Sequence, residues 1–141
     1  LDREIRHYLP LRQSRPNPRK GQRRSSFDVP LLPGYFFACC NAAERLELLR
    51  SGYLVRTIEV VDQKLLLGEL QQIYLASCGP GELSLYPRLK RGRNVRVIRG
   101  PLQGIRGKIS SRKETFRLVL NVTILGTAVA AEVDMDDVEL L

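Results

Sequence analysis

Three glycines and a proline fall inside a β-rich stretch of fifteen residues, "VRVIRGPLQGIRGKI", residues 95–109. Val95, Val97, Ile98, Ile105 and Ile109 are β-branched and favour strands. Gly100, Gly104 and Gly107 weaken strand interiors, and Pro101 lacks a ladder donor. Such a stretch fits two short strands joined at a tight corner, where glycine supplies backbone that other residues reach only under strain. Gly104 and Gly107 are therefore expected to serve backbone geometry rather than a ligand. Downstream, strand-like pieces recur at 93–99, 105–111, 115–124 and 128–133 with no helical period, the signature of a small barrel or sandwich.

Around this stretch the charge is uneven. The chain has 141 residues and a formal net charge of +8. Residues 88–113 carry ten Lys and Arg and no acid, residues 1–27 carry eight against two acids, and residues 114–141 carry one Arg and six acids. That distribution favours a polyanionic or acidic binding partner over a uniformly solvated surface.

Upstream of residue 92 the texture is mixed. Residues 4–11 alternate as a strand, with Ile5, His7, Leu9 and Leu11 on one side and Arg6 and Tyr8 on the other. The polar, basic segment 12–26 reads as a loop. Pro30 and Pro33 exclude helix before a buried strand expected from Tyr35 to Cys40. Residues 41–52 predict a short helix, with Asn41 as N-cap, Glu44 completing a capping box, Gly52 as the C′ glycine, and an apolar face of Leu46, Leu49 and Leu48. Residues 53–61 predict a third strand. Residues 64–77 predict a helix carrying Leu66, Leu70, Ile73 and Ser77 at helical spacing, with Gly68 near its first turn. Residues 82–92 read as a connector.

Catalytic constellations are not visible. His7 is the single histidine, and it sits in a strand pattern. Cys39, Cys40 and Cys78 lack metal-site spacing and do not make an even disulfide framework. The glycine spacing G-x₃-G-x₂-G is neither a dinucleotide fingerprint nor a P-loop. The acidic cluster of Glu132, Asp134, Asp136, Asp137 and Glu139 reads as the solvated face of a last strand, with Val133, Met135 and Val138 inward. No catalytic residue, cofactor or metal is expected. Neither an apolar run of membrane-spanning length nor a signal peptide is visible, and a cytoplasmic monomer is expected. The chain begins at Leu1 rather than methionine, which suggests that residues precede it.

Two motifs carry a family resemblance. "GRNVRVIRGPLQGIRGKI" followed by "FRLVLNVTILGTAVAAEVDMDDVELL" resembles a KOW domain of the NusG type. Shared features are the G-x-x-V-R-V lead, the G-P-x-x-G-x-x-G run, a hairpin with an I-x-G turn, and an acid-rich closing strand. "VPLLPGYFF" (29–37) resembles the P-L-F-P-G-Y-x-F signature of the NusG N-terminal domain. The basic loop before it, the short helix after it and the connector into KOW follow the family order, while the family's aromatic first strand and long helix do not stand in this chain.

The resemblance implies an α+β fold: an antiparallel sheet with flanking helices over 1–80, a flexible linker over 81–91, and an SH3-like β-barrel over 92–141. It implies a transcription elongation or antitermination factor that catalyses no reaction. Leu32, Pro33, Tyr35 and Phe37 would contact the clamp helices of RNA polymerase. Ile124, Leu125, Gly126 and Thr127 would form the tip by which KOW recruits Rho or a small-subunit ribosomal protein. Leu125 and Thr127 stand where housekeeping members carry an aromatic residue and an arginine, which resembles the specialised RfaH-like or polysaccharide-operon paralogues. Some of those refold KOW into a helical hairpin, but Val119, Val122, Thr123, Ile124, Val129 and Val133 favour a barrel here. Arg19, Lys20, Arg23 and Arg24 in the first basic loop are candidates to meet nucleic acid or an acidic polymerase surface. The alternative is a KOW-type ribosomal or RNA-binding protein, using Arg88, Lys90, Arg91, Arg93, Arg96 and Arg99 on phosphates.

Overall fold

A computed structural model describes residues 5–13, 28–79 and 81–141. The chain is mixed α+β, with two α-helices and antiparallel sheets among these residues. Arg19, Lys20, Arg23 and Arg24 lie outside the described residues.

The first part is a folded-back ribbon. β1 (Arg6–Tyr8) pairs with β4 (Phe37–Cys39), and β2 (Leu11–Gln13) with β3 (Asp28–Pro30). The kink between the two ladders falls at Pro10, which is buried and whose carbonyl accepts from Leu31 N–H at 2.8 Å. A proline can occupy such a kink because no ladder donor is asked of it. The strand expected over 4–11 is divided at Pro10, and within its first part Ile5 is buried and Tyr8 packs against the core while His7 is exposed.

α1 (Ala42–Arg50) has the expected punctuation. Asn41 Oδ1 accepts from Glu44 N–H at 2.9 Å, Glu44 Oε1 accepts from Asn41 N–H at 3.1 Å, and Gly52 follows with φ +79°. Its inward arc differs from the expected one: Leu48 is buried, while Leu46 and Leu49 are exposed. The strand expected over 53–61 does not form a ladder with any described strand. α2 (Gln63–Ser77) is capped by Asp62, which accepts from Leu65 N–H at 3.1 Å. Leu66, Leu70, Ile73 and Ala76 form its buried stripe, with Ala76 in place of Ser77. Gly68 lies in the second turn rather than the first.

The remainder is one six-stranded antiparallel sheet in the order β10-β6-β7-β8-β9-β5. β6 (Arg93–Val97), β7 (Arg106–Arg112), β8 (Thr115–Val122) and β9 (Thr127–Val133) lie within the four stretches expected from sequence, give or take a residue at their ends. A 3-10 turn (Met135–Asp137) leads to β10 (Val138–Leu140), which returns to pair with β6. β5 (Ser84–Pro87) pairs with β9, so the expected connector holds an edge strand. Its continuation is fastened to β8, because the Asn121 side chain both accepts from Leu89 N–H and donates to Leu89 O. Val119, Ala128 and Ala130, on the outer sheet face, are covered there by Tyr86 and Leu89.

The concave sheet face and the α2 stripe share one core. Val95, Val97, Leu102, Ile105, Leu118, Leu120, Val122 and Val129 meet Leu66, Leu70 and Ile73, together with Leu31 and Leu32. Two of the opening glycines act in different ways. Gly104 has φ +91° and closes the β6–β7 corner, its N–H donating to Val97 O at 2.8 Å. At Gly107 a Cβ would come within 2.7 Å of Val119 O and 2.9 Å of Leu118 Cδ1, so a hydrogen is all that fits.

Candidate functional site

Leu32, Pro33, Gly34 and Tyr35 form a tight turn, closed by Tyr35 N–H donating to Leu32 O at 3.1 Å. Proline at its second position and glycine with φ +86° at its third meet the requirements of a type II turn. The turn sorts its neighbours sharply. Leu31 and Leu32 precede it and are each 1% exposed, within the core. Pro33 sits on the tip and is exposed. Tyr35 and Phe36 follow it, 41% and 40% exposed. Phe37 enters β4 opposite Tyr8 and packs against the core.

The exposure of this segment differs from the expected pattern. Leu32 is buried, Phe37 is half-buried against the core, and of the four expected residues Pro33 and Tyr35 are exposed. Strand alternation places Tyr35 and Phe37 together with Phe36 opposite, but residues 35–36 are not yet in a strand, so Tyr35 and Phe36 are exposed in succession. Phe36 is the surface residue that alternation concealed. Beneath the turn lies a cleft of about 1470 Å³ between the ribbon, the end of α2 and β5, with Pro33, Leu11, Tyr74 and Leu85 among its walls.

The β8–β9 turn holds the second candidate set. A 3-10 turn (Thr123–Leu125) ends at Gly126, φ +64°, and Thr127 opens β9. Gly126 is exposed, but Ile124 and Leu125 are half-buried and packed on the core. Thr127 Oγ1 donates to Tyr86 O at 3.2 Å. Glu69 of α2 accepts from Thr123 N–H and Oγ1, so the helix is tied to this turn. Of the four residues assigned to a tip, then, Gly126 alone stands clear.

The cations are sorted too. Arg96 forms an ion pair with Glu139 and faces solvent in part, and the Arg99 guanidinium donates to Asp136 O at 2.7 Å. Arg117 lies over the Tyr86 ring, 5.8 Å from its centre. The Tyr86 hydroxyl shares a hydrogen bond with Ser110 Oγ at 3.0 Å; this bond, outweighing a small burial effect, and the nearby Arg112 and Arg117 charges hold the phenol below its ordinary value. His7 is exposed, its Nδ1 2.9 Å from Ile5 O. Cys39, Cys40 and Cys78 are free and exposed. Among the described residues no three His, Cys, Asp or Glu side chains group as metal ligands, and no helix is long and apolar enough to cross a membrane.

No protein-family model matches the chain, and neither a curated protein nor a solved structure matches it.

Proposed function

We propose that this chain is a NusG-type transcription elongation or antitermination factor that docks on the clamp helices of RNA polymerase. The observation that carries the reading is the type II turn that holds Pro33, Tyr35 and Phe36 out of the core. Two adjacent aromatics on a rigid turn suit a protein interface: they offer large contact area, and tyrosine tolerates a half-wet rim. Leu32 and Phe37 support that turn from below. On this reading residues 1–80 are the NusG N-terminal-type unit.

The order of strands supports reading 92–141 as an SH3-like KOW barrel. β6 to β9 form a meander, a 3-10 turn follows, and β10 returns to β6, with the G-P-x-x-G-x-x-G run at the first corner. KOW would then recruit a second protein, Rho or a small-subunit ribosomal protein, at the turn whose exposed apex is Gly126. No bond is made or broken in this mechanism. Docking favours the closed clamp over the open one by its differential affinity for the two states.

The test is affinity for an isolated clamp-helix fragment. A central aromatic anchor is worth about 2 kcal/mol on truncation, roughly a thirty-fold rise in Kd. Tyr35→Ala and Phe36→Ala should each approach that loss while melting near the parent temperature. Parent-level binding by both would remove the assignment.

A further inference from the structure

Arg106, Lys108, Ser110 and Arg112 alternate along β7 and so share one sheet face. The ladders say which face it is. Lys108 is opposite Val119 and Ser110 opposite Arg117 on β8, while Arg106 is opposite Arg96 on β6. Val119 lies on the outer side of the sheet, under Tyr86 and Leu89. These cations therefore point away from the core and from α2. The outward positions of β6, β7 and β8 hold five cations, Arg96, Arg106, Lys108, Arg112 and Arg117, and no acid.

The nearest acids in the ladders stand on the flanking strands. Glu139 on β10 neutralises Arg96. Glu132 on β9 is opposite Arg117, but that guanidinium lies over the Tyr86 ring instead, 5.8 Å from its centre. Among the described residues Arg106, Lys108, Arg112 and Arg117 have no ion-pair partner. Like charges in register across a ladder are destabilising, and Arg96 and Arg106 stand in that relation. The segment lying against this face adds to its charge. It carries Arg88, Lys90 and Arg91, and Lys108 Nζ donates to Lys90 O at 3.0 Å.

What the face lacks decides its partner. Val119, the apolar outward position of these three strands, is 1% exposed. The face thus offers no apolar anchor of the kind that a protein interface or a membrane surface uses. Its aromatic ring, Tyr86, is already covered by Arg117, so no platform is left for an unpaired base. What it does offer is guanidinium forks, which match phosphate oxygens. Beside them are two hydroxyls, those of Tyr86 and Ser110, 3.0 Å apart.

We propose that the outer face of β6–β8 binds the phosphate backbone of a nucleic-acid duplex, with Arg106, Arg112 and Arg117 as direct contacts and Lys108 between them. From Arg106 to Arg112 the strand spans about 20 Å. A duplex presents one negative charge per roughly 1.7 Å of its axis, so several phosphates lie within that length. Contacts of this kind position a protein on a duplex without reading its sequence. The inference is independent of polymerase docking by Tyr35 and Phe36.

The experiment measures anisotropy of a fluorescein-labelled DNA duplex of arbitrary sequence, and of one of its strands alone, with the whole chain between about 50 and 200 mM KCl. The parent should bind the duplex more tightly than the single strand, and both more weakly as salt rises. Arg106→Ser with Arg112→Ser should raise Kd for the duplex roughly tenfold and flatten the log–log salt slope by about 1.8, the share of two phosphate contacts. Both side chains are exposed, so this variant should melt as the parent does. Arg106→Lys with Arg112→Lys keeps the charge and should keep most of the slope. Arg50→Ser with Arg56→Ser removes the same charge outside the sheet and should change neither quantity appreciably. Equal losses for that pair would reduce the effect to bulk charge and overturn the site. Tighter binding of the single strand would overturn the duplex as its occupant. Absence of binding to either probe at the lowest salt would overturn the proposal in favour of an acidic protein partner.

Discussion

Glu69 and Thr123 lock α2 to the β8–β9 turn: the carboxylate accepts from the Thr123 hydroxyl at 2.7 Å and from its backbone N–H at 3.1 Å. Both groups are partly buried, so removing the carboxylate leaves two donors without their partner. Hydrogen bonds to charged groups contribute about 1.5–3 kcal/mol. Glu69→Ala should destabilise the chain by about 2 kcal/mol in denaturant titration. It should also accelerate amide exchange at Thr123 and Gly126 more than in β6, because the turn loses its tether before the sheet opens. Uniform acceleration across the sheet would mean that the bond stabilises the whole fold rather than the turn.

Gly104, at the β6–β7 corner, and Gly107, within β7, separate by mechanism. Gly107→Ala puts a methyl group 2.7 Å from the Val119 carbonyl and 2.9 Å from Leu118 and Leu120 side-chain carbons. Strands β7 and β8 must part to admit it, at about 3 kcal/mol. Gly104→Ala meets nothing within 4 Å and is penalised only through φ +91°, about 1–2 kcal/mol. Thermal unfolding should rank Gly107→Ala as the worse by a clear margin. A reversed order would place the crowding elsewhere.

The β7–β8 hairpin turns on Lys113 and Glu114, with φ of +48° and +66°. Positive φ at both central residues is the type I′ requirement, and Asn-Gly meets it with least strain. Lys113→Asn combined with Glu114→Gly should therefore stabilise by about 1 kcal/mol, read as a raised denaturant midpoint at unchanged slope. A lowered midpoint would mean that the side chains of Lys113 and Glu114 matter more than their backbone.

What was legible in the sequence was local. Asn41 and Glu44 announce α1 because a capping box is written within four residues, and β6 to β9 announce themselves through period-2 patterning broken by glycines. What was illegible depends on neighbours. Whether Leu46 or Leu48 faces inward depends on where the core lies around α1, and the helix alone does not say. The strand chemistry of 53–61 is plain, yet a strand needs a ladder partner, and Tyr53, Val55 and Val61 are instead 92%, 100% and 94% exposed. Pro33-Gly34 signalled a turn, but extending the strand back to Tyr35 put Phe36 on the wrong side.

Leu32 and Tyr35, the two ends of one hydrogen-bonded turn, should respond in opposite ways. Leu32 is 1% exposed, so Leu32→Ala should cost about 2–5 kcal/mol through the cavity it leaves. Leu32→Asp buries a charge and should prevent folding under conditions where the parent is stable. Tyr35→Ala should shift the melting temperature little. Circular dichroism melts of the three variants check this directly. A well-folded Leu32→Asp variant would put that side chain back on the surface.

Tyr8 makes the fold sensitive to alkali. Its hydroxyl is buried without a hydrogen-bond partner, and its ring meets Tyr74 edge-on with centroids 6.1 Å apart. Burial pushes the phenol above its ordinary value of 10.0, a weak interaction with Ser77 offsets part of this, and Cys78 and Tyr74 add to it. The sign follows from which form the fold disfavours. A raised acid means that the folded state holds the neutral phenol more tightly than the unfolded chain does. Stability from this residue is therefore full below pH 10 and declines as pH rises above 10, where the unfolded chain ionises first. Tyr86, held below its ordinary value chiefly by Ser110, works the opposite way and in a different range: the fold favours its ionised form, so its contribution builds up as pH rises towards 10 and is complete above it. Tyr8→Phe removes both the unpartnered oxygen and the titration. It should raise stability by about 1 kcal/mol at neutral pH and flatten the loss of stability above pH 10, measured as denaturant midpoints between neutral and strongly alkaline buffer. An unchanged alkaline slope in Tyr8→Phe would assign the sensitivity to another group.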